Sequence, residues 1–162
     1  MTPLYVRGLV VAAAVAGLDQ LSKWVILNVV MAPPRTIPVT PFFDIVLGWN
    51  RGISFGLFGG TPEAGRWIFV AVGCLIIAIL LLWMKRAGRG FLVFAIGVVI
   101  GGAVGNIVDR LRFGAVADFL YFHYRDYGFP AFNLADSAIT VGVALILIDS
   151  LFAERRSRKK RP

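Results

Sequence analysis

Three long apolar stretches dominate the pattern of hydrophobic and polar positions along the chain. Residues 67–84 and 91–108 contain no charged residue, and residues 134–152 carry only Asp136 near the start and Asp149 near the end. At 1.5 Å per residue, a helix formed by either charge-free stretch is about 27 Å long, close to the thickness of the hydrocarbon core of a bilayer. The pattern therefore predicts three membrane-spanning helices.

A fourth span is predicted at about residues 8–30, although its second half is polar. Residues 8–18 are apolar, and Asp19, Gln20, Ser22 and Lys23 follow. A cleaved secretory signal peptide is the rival interpretation, because Arg7 precedes the apolar run and small residues at 14–16 fit a cleavage site. The apolar pattern resumes after position 23, which favours an uncleaved span.

Two long connections separate the spans, at residues 31–66 and 109–133. Pro33, Pro34, Pro38 and Pro41 exclude a regular helix in the first half of the first connection, and Phe42–Trp49 and Ile53–Phe58 are predicted as short strands. The second connection is rich in Phe and Tyr, which is typical of the membrane interface. We predict one membrane domain over residues 1–162, with spans at 8–30, 67–84, 91–108 and 134–152 and a basic tail at 154–162.

Composition agrees with a membrane protein. The 162 residues are 58% hydrophobic and 16% charged, with a mean hydropathy of +0.78. A soluble domain usually carries about 25% charged residues, which is more than this chain has. A disordered chain has low hydrophobicity and high charge, so the composition excludes disorder. One cysteine excludes a disulfide framework, and one cysteine with one histidine disfavours a structural zinc site.

The basic residues predict the orientation in the membrane. With four spans, ten of the 17 Lys and Arg residues fall in the short segments on the side of the termini, and seven fall on the other side. The positive-inside rule then places both termini and the turn at 85–90 in the cytoplasm. The net charge of +8 is explained by this anchoring together with contacts to anionic lipid, so nucleic acid is not an expected partner.

Several polar residues within the spans have both a structural and a functional interpretation. Asp19 and Lys23 lie four residues apart on one helix face, so they can neutralise each other or take part in a site. Asp136, in the first turn of the last span, can complement the helix dipole. Asn106 lies one turn inside an apolar run and has no such simple explanation.

Other positions are expected to have structural roles. Asp109 is expected to pair with its neighbour Arg110, and Asp149 with the basic tail. The single Cys74 is predicted to be a core residue, and the single His123 an interfacial one. Close helix packing is the expected role of a glycine ridge with four-residue spacing: Gly97, Gly101 and Gly105.

The residue types limit the chemistry of a possible site. A Ser–Lys hydrolase would have to use Lys23, whose neighbour Ser22 points to another helix face, and a Ser–His–Asp triad would need His123 without a nucleophile motif nearby. A metallopeptidase lacks ligands. Two carboxylates about 3 Å apart can instead share a proton, so that one activates water and the other polarises a carbonyl. Asp118 and Asp136 both lie at the predicted outer edge of the membrane, where a fold could bring them together.

Five short segments follow one another along the four predicted spans. They are Asp19-Gln20-Leu21-Ser22-Lys23, Asn50-Arg51-Gly52-Ile53-Ser54-Phe55-Gly56, Gly101-Gly102-Ala103-Val104-Gly105-Asn106-Ile107-Val108-Asp109-Arg110, Val116-Ala117-Asp118-Phe119 and Phe132-Asn133-Leu134-Ala135-Asp136-Ser137. In this order they resemble the lipoprotein signal peptidases, also called type II signal peptidases. Any one segment is a weak signal, whereas all five in order, within residues 9–152, are highly specific.

The resemblance implies both a fold and an activity. The implied fold is an all-α membrane protein, with four transmembrane helices and a small extracytoplasmic β-cradle. The implied activity is that of an aspartic endopeptidase of the bacterial inner membrane, which removes the signal peptide from diacylglyceryl-modified prolipoproteins just before the lipidated cysteine. No metal or organic cofactor is implied. Prolipoproteins, membrane lipid and globomycin-type cyclic-peptide inhibitors are the implied partners, and a monomer is expected.

The resemblance also assigns residues. Asp118 and Asp136 are the implied catalytic pair. The implied substrate-binding or supporting residues are Asn50, Asn106, Arg110, Asn133 and Asp19.

Two other function classes stay open on the residues alone. A small ion-coupled transporter could use Asp19, Asp118 and Asp136 as an ion path, and it would lose flux on aspartate substitution without showing hydrolysis. A structural assembly protein could pack through the glycine ridge, and it should tolerate Asp118→Asn.

Overall fold

Four long helices and one small sheet make up the part of the chain that the computed structural model describes, residues 2–52 and 62–158. The helices are α1 (Pro3–Val25), α2 (Pro62–Arg86), α3 (Gly90–Phe113) and α4 (Leu134–Arg158), and α1 continues into a π-helical turn over Ile26–Val30. Each of the four helical segments is long and apolar enough to cross a membrane. The predicted fold class, four membrane-spanning helices with a small sheet, is confirmed.

Helix α3 lies at the centre of the helical bundle. Within the apolar window of α3, 61% of the residues are buried, against 6% for α2. Glycine allows this close packing: a Cβ atom added at Gly101 would lie 2.6 Å from the Ala12 carbonyl oxygen of α1, and one at Gly102 would lie 2.5 Å from the Ala135 carbonyl oxygen of α4. The predicted packing role of the glycine ridge is therefore confirmed, because Gly97 and Gly101 both lie against the backbone of α1, and α4 packs on α3 at the neighbouring Gly102.

The sheet contains four strands in the order β1-β2-β3-β4, all antiparallel. The strands are β1 (Ile37–Thr40), β2 (Phe43–Asn50), β3 (Val116–Tyr124) and β4 (Tyr127–Gly128). Helix α3 ends at Phe113 and is followed by Gly114, whose φ of 75° is the left-handed conformation that a glycine adopts readily after a helix, and β3 begins two residues after Gly114. The sheet thus lies at the end of α3 and at the start of α4.

The sequence predicted the sheet only in part. The strand expected at Phe42–Trp49 is present as β2, whereas the strand expected at Ile53–Phe58 falls outside the described residues. Strand β3 was not predicted, because its first four residues are buried on both faces and do not alternate between apolar and polar types. This missed strand carries Asp118.

Two structural expectations were wrong. Asp109 does not pair with Arg110, because its carboxylate points into the bundle and contacts Lys23 at 2.8 Å. Cys74 is exposed on α2, a helix that buries few of its apolar side chains against the protein. Asp149 pairs with Arg89 at 2.8 Å, while the side chains of the basic tail, its expected partners, lie outside the described residues.

Candidate active site

Asp118 and Asp136 come from different elements and are brought together by a short backbone pairing. Asp118 lies on β3, and Asp136 lies in the first turn of α4. Leu120 of β3 donates its N–H to the Phe132 carbonyl at 2.8 Å and accepts from the Phe132 N–H at 3.0 Å. The residue after this bridge is Asn133, which therefore stands beside Asp118 and immediately before α4.

Asn133 hydrogen-bonds both aspartates. Its side-chain Nδ2 donates to Asp118 Oδ1 at 2.7 Å, while its backbone N–H donates to Asp136 Oδ2 at 3.3 Å. Its Oδ1 accepts from the Asp136 backbone N–H at 3.0 Å. The last two bonds form a reciprocal cap at the start of α4, so the helix-capping role predicted for Asp136 is present together with the contact to Asp118.

Asn106 of α3 forms a second link. Its Nδ2 donates to Asp136 Oδ1 at 2.7 Å, and its Oδ1 accepts from Asn133 Nδ2 at 3.3 Å. Asn106 and Asn133 are both buried. The two carboxylates are consequently held by amide groups from α3 and from the start of α4, and neither depends on an exposed loop for its position.

Burial governs the acid–base properties of Asp118. Its side chain is 3% exposed, and this burial raises the pKa of the carboxyl to about 6. Hydrogen bonds from the side chains of Asn50 and Asn133 oppose the rise, and the nearby Asp136 adds to it. Asp118 can therefore exchange a proton close to neutral pH, which an ordinary surface aspartate does not do.

The other two residues expected near the pair, Asn50 and Arg110, also lie beside it. Asn50 is the last residue of β2, is exposed, and hydrogen-bonds Asp118. Arg110 is half-buried on α3, stacks over the Phe69 ring at 5.0 Å, and interacts electrostatically with Asp118 and Asp136. The pair is thus flanked by one amide and one guanidinium group from two further elements.

Asp19 is near the pair but does not line it. Its side chain is fully buried, and its Oδ1 accepts a hydrogen bond from the Ala135 backbone N–H at 2.9 Å. Its Oδ2 lies 2.9 Å from Lys23 Nζ, so the expected neutralisation of the two charges is confirmed. Lys23, Asp109 and Gln20 join this buried group. A site role for Lys23 was one of the two interpretations of its spacing from Asp19, whereas Asp109 and Gln20 were not predicted for the site.

The pKa of Asp118 makes a prediction about stability. The unfolded carboxyl titrates near 3.8 and the folded one near 6, so the folded protein binds the proton more tightly and loses stability as pH rises through about 6. Asp118→Asn removes this loss. We expect the melting temperature of Asp118→Asn protein to exceed that of the unchanged protein at pH 8 but not at pH 4. The corresponding gain in the free energy of unfolding at pH 8 is at most about 3 kcal/mol.

Thermal unfolding in one detergent at the two pH values measures this effect. Asp126→Asn, at an exposed position in the β3–β4 turn, is the matched control and should show no pH-dependent gain. A gain for Asp118→Asn that is equal at pH 4 and pH 8 would contradict the assigned cause.

Comparison with known proteins agrees with this arrangement. The family model described as signal peptidase (SPase) II matches residues 11–152. The chain is 50% identical over 155 residues to the lipoprotein signal peptidase of Azoarcus sp. (strain BH72), covering 95% of this chain and 85% of that protein. It is 44% identical over 157 residues to the lipoprotein signal peptidase of Methylobacterium sp. (strain 4-46), covering 96% and 94%.

Solved structures give the same result for the fold. A bacterial membrane enzyme solved by the in meso method at 2.3 Å superposes with a TM-score of 0.78 at 30% identity, covering 96% of this chain and 93% of that one. Nothing in these comparisons supports the transporter alternative. The chain belongs to the signal peptidase II family, whose members remove signal peptides from prolipoproteins.

Proposed function

We propose that this chain is an aspartic endopeptidase, in which Asp118 and Asp136 are the catalytic pair that cuts the bond before a diacylglyceryl-modified cysteine. The observation that carries the proposal is the position of Asn133, which hydrogen-bonds both carboxylates. Two acids from different elements are held by one buried residue, Asn133, which binds Asp118 through its side chain and Asp136 through its backbone N–H. Burial raises the pKa of Asp118 to about 6, and this supports a pair that shares a proton.

Water is the nucleophile in the proposed reaction. The ionised member of the pair takes a proton from water, whose oxygen attacks the carbonyl carbon of the scissile bond, while the protonated member hydrogen-bonds the carbonyl oxygen. The carboxyl group that took the proton from water then donates it to the cysteine nitrogen as the C–N bond breaks and the carbonyl re-forms. Burial of Asp118 favours its neutral form, so Asp118 is the member that we expect to hold the shared proton.

The neighbouring residues have supporting roles in this proposal. Asn106 and Asn133 fix the two carboxylates, as their 2.7 Å hydrogen bonds indicate. Arg110 and the exposed Asn50 stand beside the pair with groups that can bind the polar part of a substrate. Asp19 acts from behind the site through the backbone of residue 135.

Chemical inactivation tests the proposed catalytic class. Purified protein is incubated with a diacylglyceryl-modified precursor after treatment with a metal chelator, a serine-directed reagent or a thiol alkylator. We expect cleavage to persist in all three cases, since Cys74 is the one cysteine of the chain and lies on the exposed face of α2. Complete inactivation by the chelator or by the serine reagent would contradict an aspartic mechanism.

The proposed site also leads us to expect a class of inhibitor and an assembly state. Globomycin-type cyclic peptides are expected to inhibit cleavage by occupying the space in front of the carboxylates. A monomer is expected to be active, because one chain supplies both carboxylates and the Asn106 and Asn133 side chains that bind them.

Both termini are proposed to lie in the cytoplasm of a bacterium, with the sheet and the catalytic pair at the outer face of its inner membrane. Ten basic residues in short segments on the terminal side, against seven on the other, support this orientation. A reporter fused after Ser157 should therefore be active in the cytoplasm. A reporter that is active only in the periplasm would contradict both the orientation and the position of the site.

A further inference from the structure

Lys23 lies in an unusual place for a lysine, because its ammonium group is buried inside the bundle. Its side chain is 2% exposed, and Nζ lies 2.9 Å from Asp19 Oδ2, 2.8 Å from Asp109 Oδ2 and 3.3 Å from Asn106 Oδ1. An ammonium group has three N–H donors, so these three acceptors satisfy it. Burying a charge in this way is costly, and an i,i+4 pair with Asp19 alone would not require the other two contacts.

Each of the two acids bound by Lys23 also holds the backbone next to one catalytic aspartate. Asp19 Oδ1 accepts from the N–H of Ala135, the residue before Asp136, at 2.9 Å. Asp109 Oδ2 accepts from the N–H of Ala117, the residue before Asp118, at 3.1 Å. Lys23 therefore connects two separate anchors, one for each member of the pair.

The third contact of Lys23 sets the orientation of the Asn106 amide. Asn106 Oδ1 accepts from Lys23 Nζ and from Asn133 Nδ2, both at 3.3 Å, and this leaves Nδ2 to donate to Asp136 Oδ1. Rotating the amide by half a turn would place its NH₂ group against two donors. The ammonium group thus keeps an N–H donor pointed at the Asp136 carboxylate.

We propose that Lys23 is a positioning residue that fixes the spacing and orientation of the Asp118–Asp136 pair through Asp19, Asp109 and Asn106. The proposal rests on the catalytic roles proposed above for the two aspartates. Lys23 does not contact substrate, because it is buried behind them. Its loss should therefore lower kcat while leaving KM nearly unchanged, since small displacements of reacting groups reduce rates strongly.

The test must separate this role from simple charge neutralisation. Lys23→Met alone would leave two buried carboxylates without a cation, so it is combined with Asp19→Asn, which keeps the formal charge of the cluster and an oxygen that can accept from Ala135 N–H. We expect the double variant to fold and to lose about 10- to 100-fold in kcat, with KM within about twofold. A kcat equal to that of the unchanged protein would overturn the proposal and leave Lys23 as a charge neutraliser.

Lys23→Arg is the second variant, and it remains informative if the double variant does not fold. It keeps the positive charge, but a planar guanidinium cannot direct three N–H donors from one nitrogen as an ammonium group does. We expect about a 10-fold loss of kcat with a nearly unchanged KM. Unchanged kcat in this folded variant would also overturn the proposal.

A matched control and the parent proposal are measured in the same series. Arg89→Met breaks the Arg89–Asp149 ion pair at the opposite end of α3 and should leave kcat unchanged whatever its effect on the melting temperature. If Asp118→Asn or Asp136→Asn retains normal turnover, the proposed catalytic pair fails. If both are inactive but the Lys23 variants turn over normally, only the positioning role fails.

Discussion

Replacing Asp118 or Asp136 with asparagine is expected to abolish cleavage of a lipidated precursor while the protein remains folded. Each change preserves the size of the side chain and removes one member of the pair that Asn133 and Asn106 hold. The loss of an essential acid or base lowers a rate by about 10²–10⁴-fold or more. The measurement is turnover by purified variants, with melting temperature as the check on folding.

Two substitutions away from the pair serve as controls for this prediction. Cys74 lies exposed on α2, and His123 lies on β3 with its Nε2 at 3.2 Å from the Asp44 carboxylate, so Cys74→Ala and His123→Gln should retain activity. Normal turnover by purified Asp118→Asn or Asp136→Asn protein would eliminate the proposed pair. An assembly protein, the remaining function class from the residues alone, should tolerate Asp118→Asn in full.

The second large effect concerns the lipid on the substrate. A precursor whose cysteine lacks the diacylglyceryl group is expected to be cleaved far more slowly by a protein with an intact aspartate pair. The pair lies at the end of α3 and the start of α4, where the sheet begins, and the orientation proposed above would put this level at the outer face of the inner membrane. Acyl chains that stay in the bilayer, at about 0.8 kcal/mol per buried methylene, would hold the scissile bond at the same depth.

Comparing the modified and unmodified forms of one precursor in the same bilayer or detergent tests the role of the lipid. Asp136→Asn protein with the modified form provides the blank. We expect the unmodified form to lose most of its rate through a higher KM, because the acyl chains supply concentration and orientation. Equal rates for both forms would show that the enzyme recognises the peptide sequence alone. The proposal that the lipid positions the scissile bond would then have to be abandoned.

Much of the helical architecture could be predicted from the sequence because a bilayer requires spans of a defined length. The charge-free runs at 67–84 and 91–108 became α2 and α3, and the glycine ridge packs as its spacing predicted. Hydropathy does not distinguish a residue that faces lipid from one that faces protein. For this reason Cys74 was predicted to lie in the core, whereas in the structure it is exposed.

The individual residues of the site could be named from the sequence, but the contacts that join them could not. The hydrogen bond from Ala135 to Asp19 joins residues that are 116 positions apart, and no local pattern reports such a contact. Asp109 was predicted to pair with its sequence neighbour Arg110, but its helix face turns the carboxylate towards Lys23. Strand β3 was missed because its first four residues are all buried and show no alternation, and the pairing of Leu120 with Phe132 that brings Asp118 to Asp136 was missed with it.

The masses of the products from a lipidated precursor test the central claim most directly. Hydrolysis by the Asp118–Asp136 pair predicts two fragments whose masses add up to the precursor plus one water, with the diacylglyceryl-modified cysteine as the first residue of the mature fragment. It also predicts neither fragment from Asp118→Asn or Asp136→Asn protein. A break at another bond, or the same two fragments at an unchanged rate from either variant, would contradict the account.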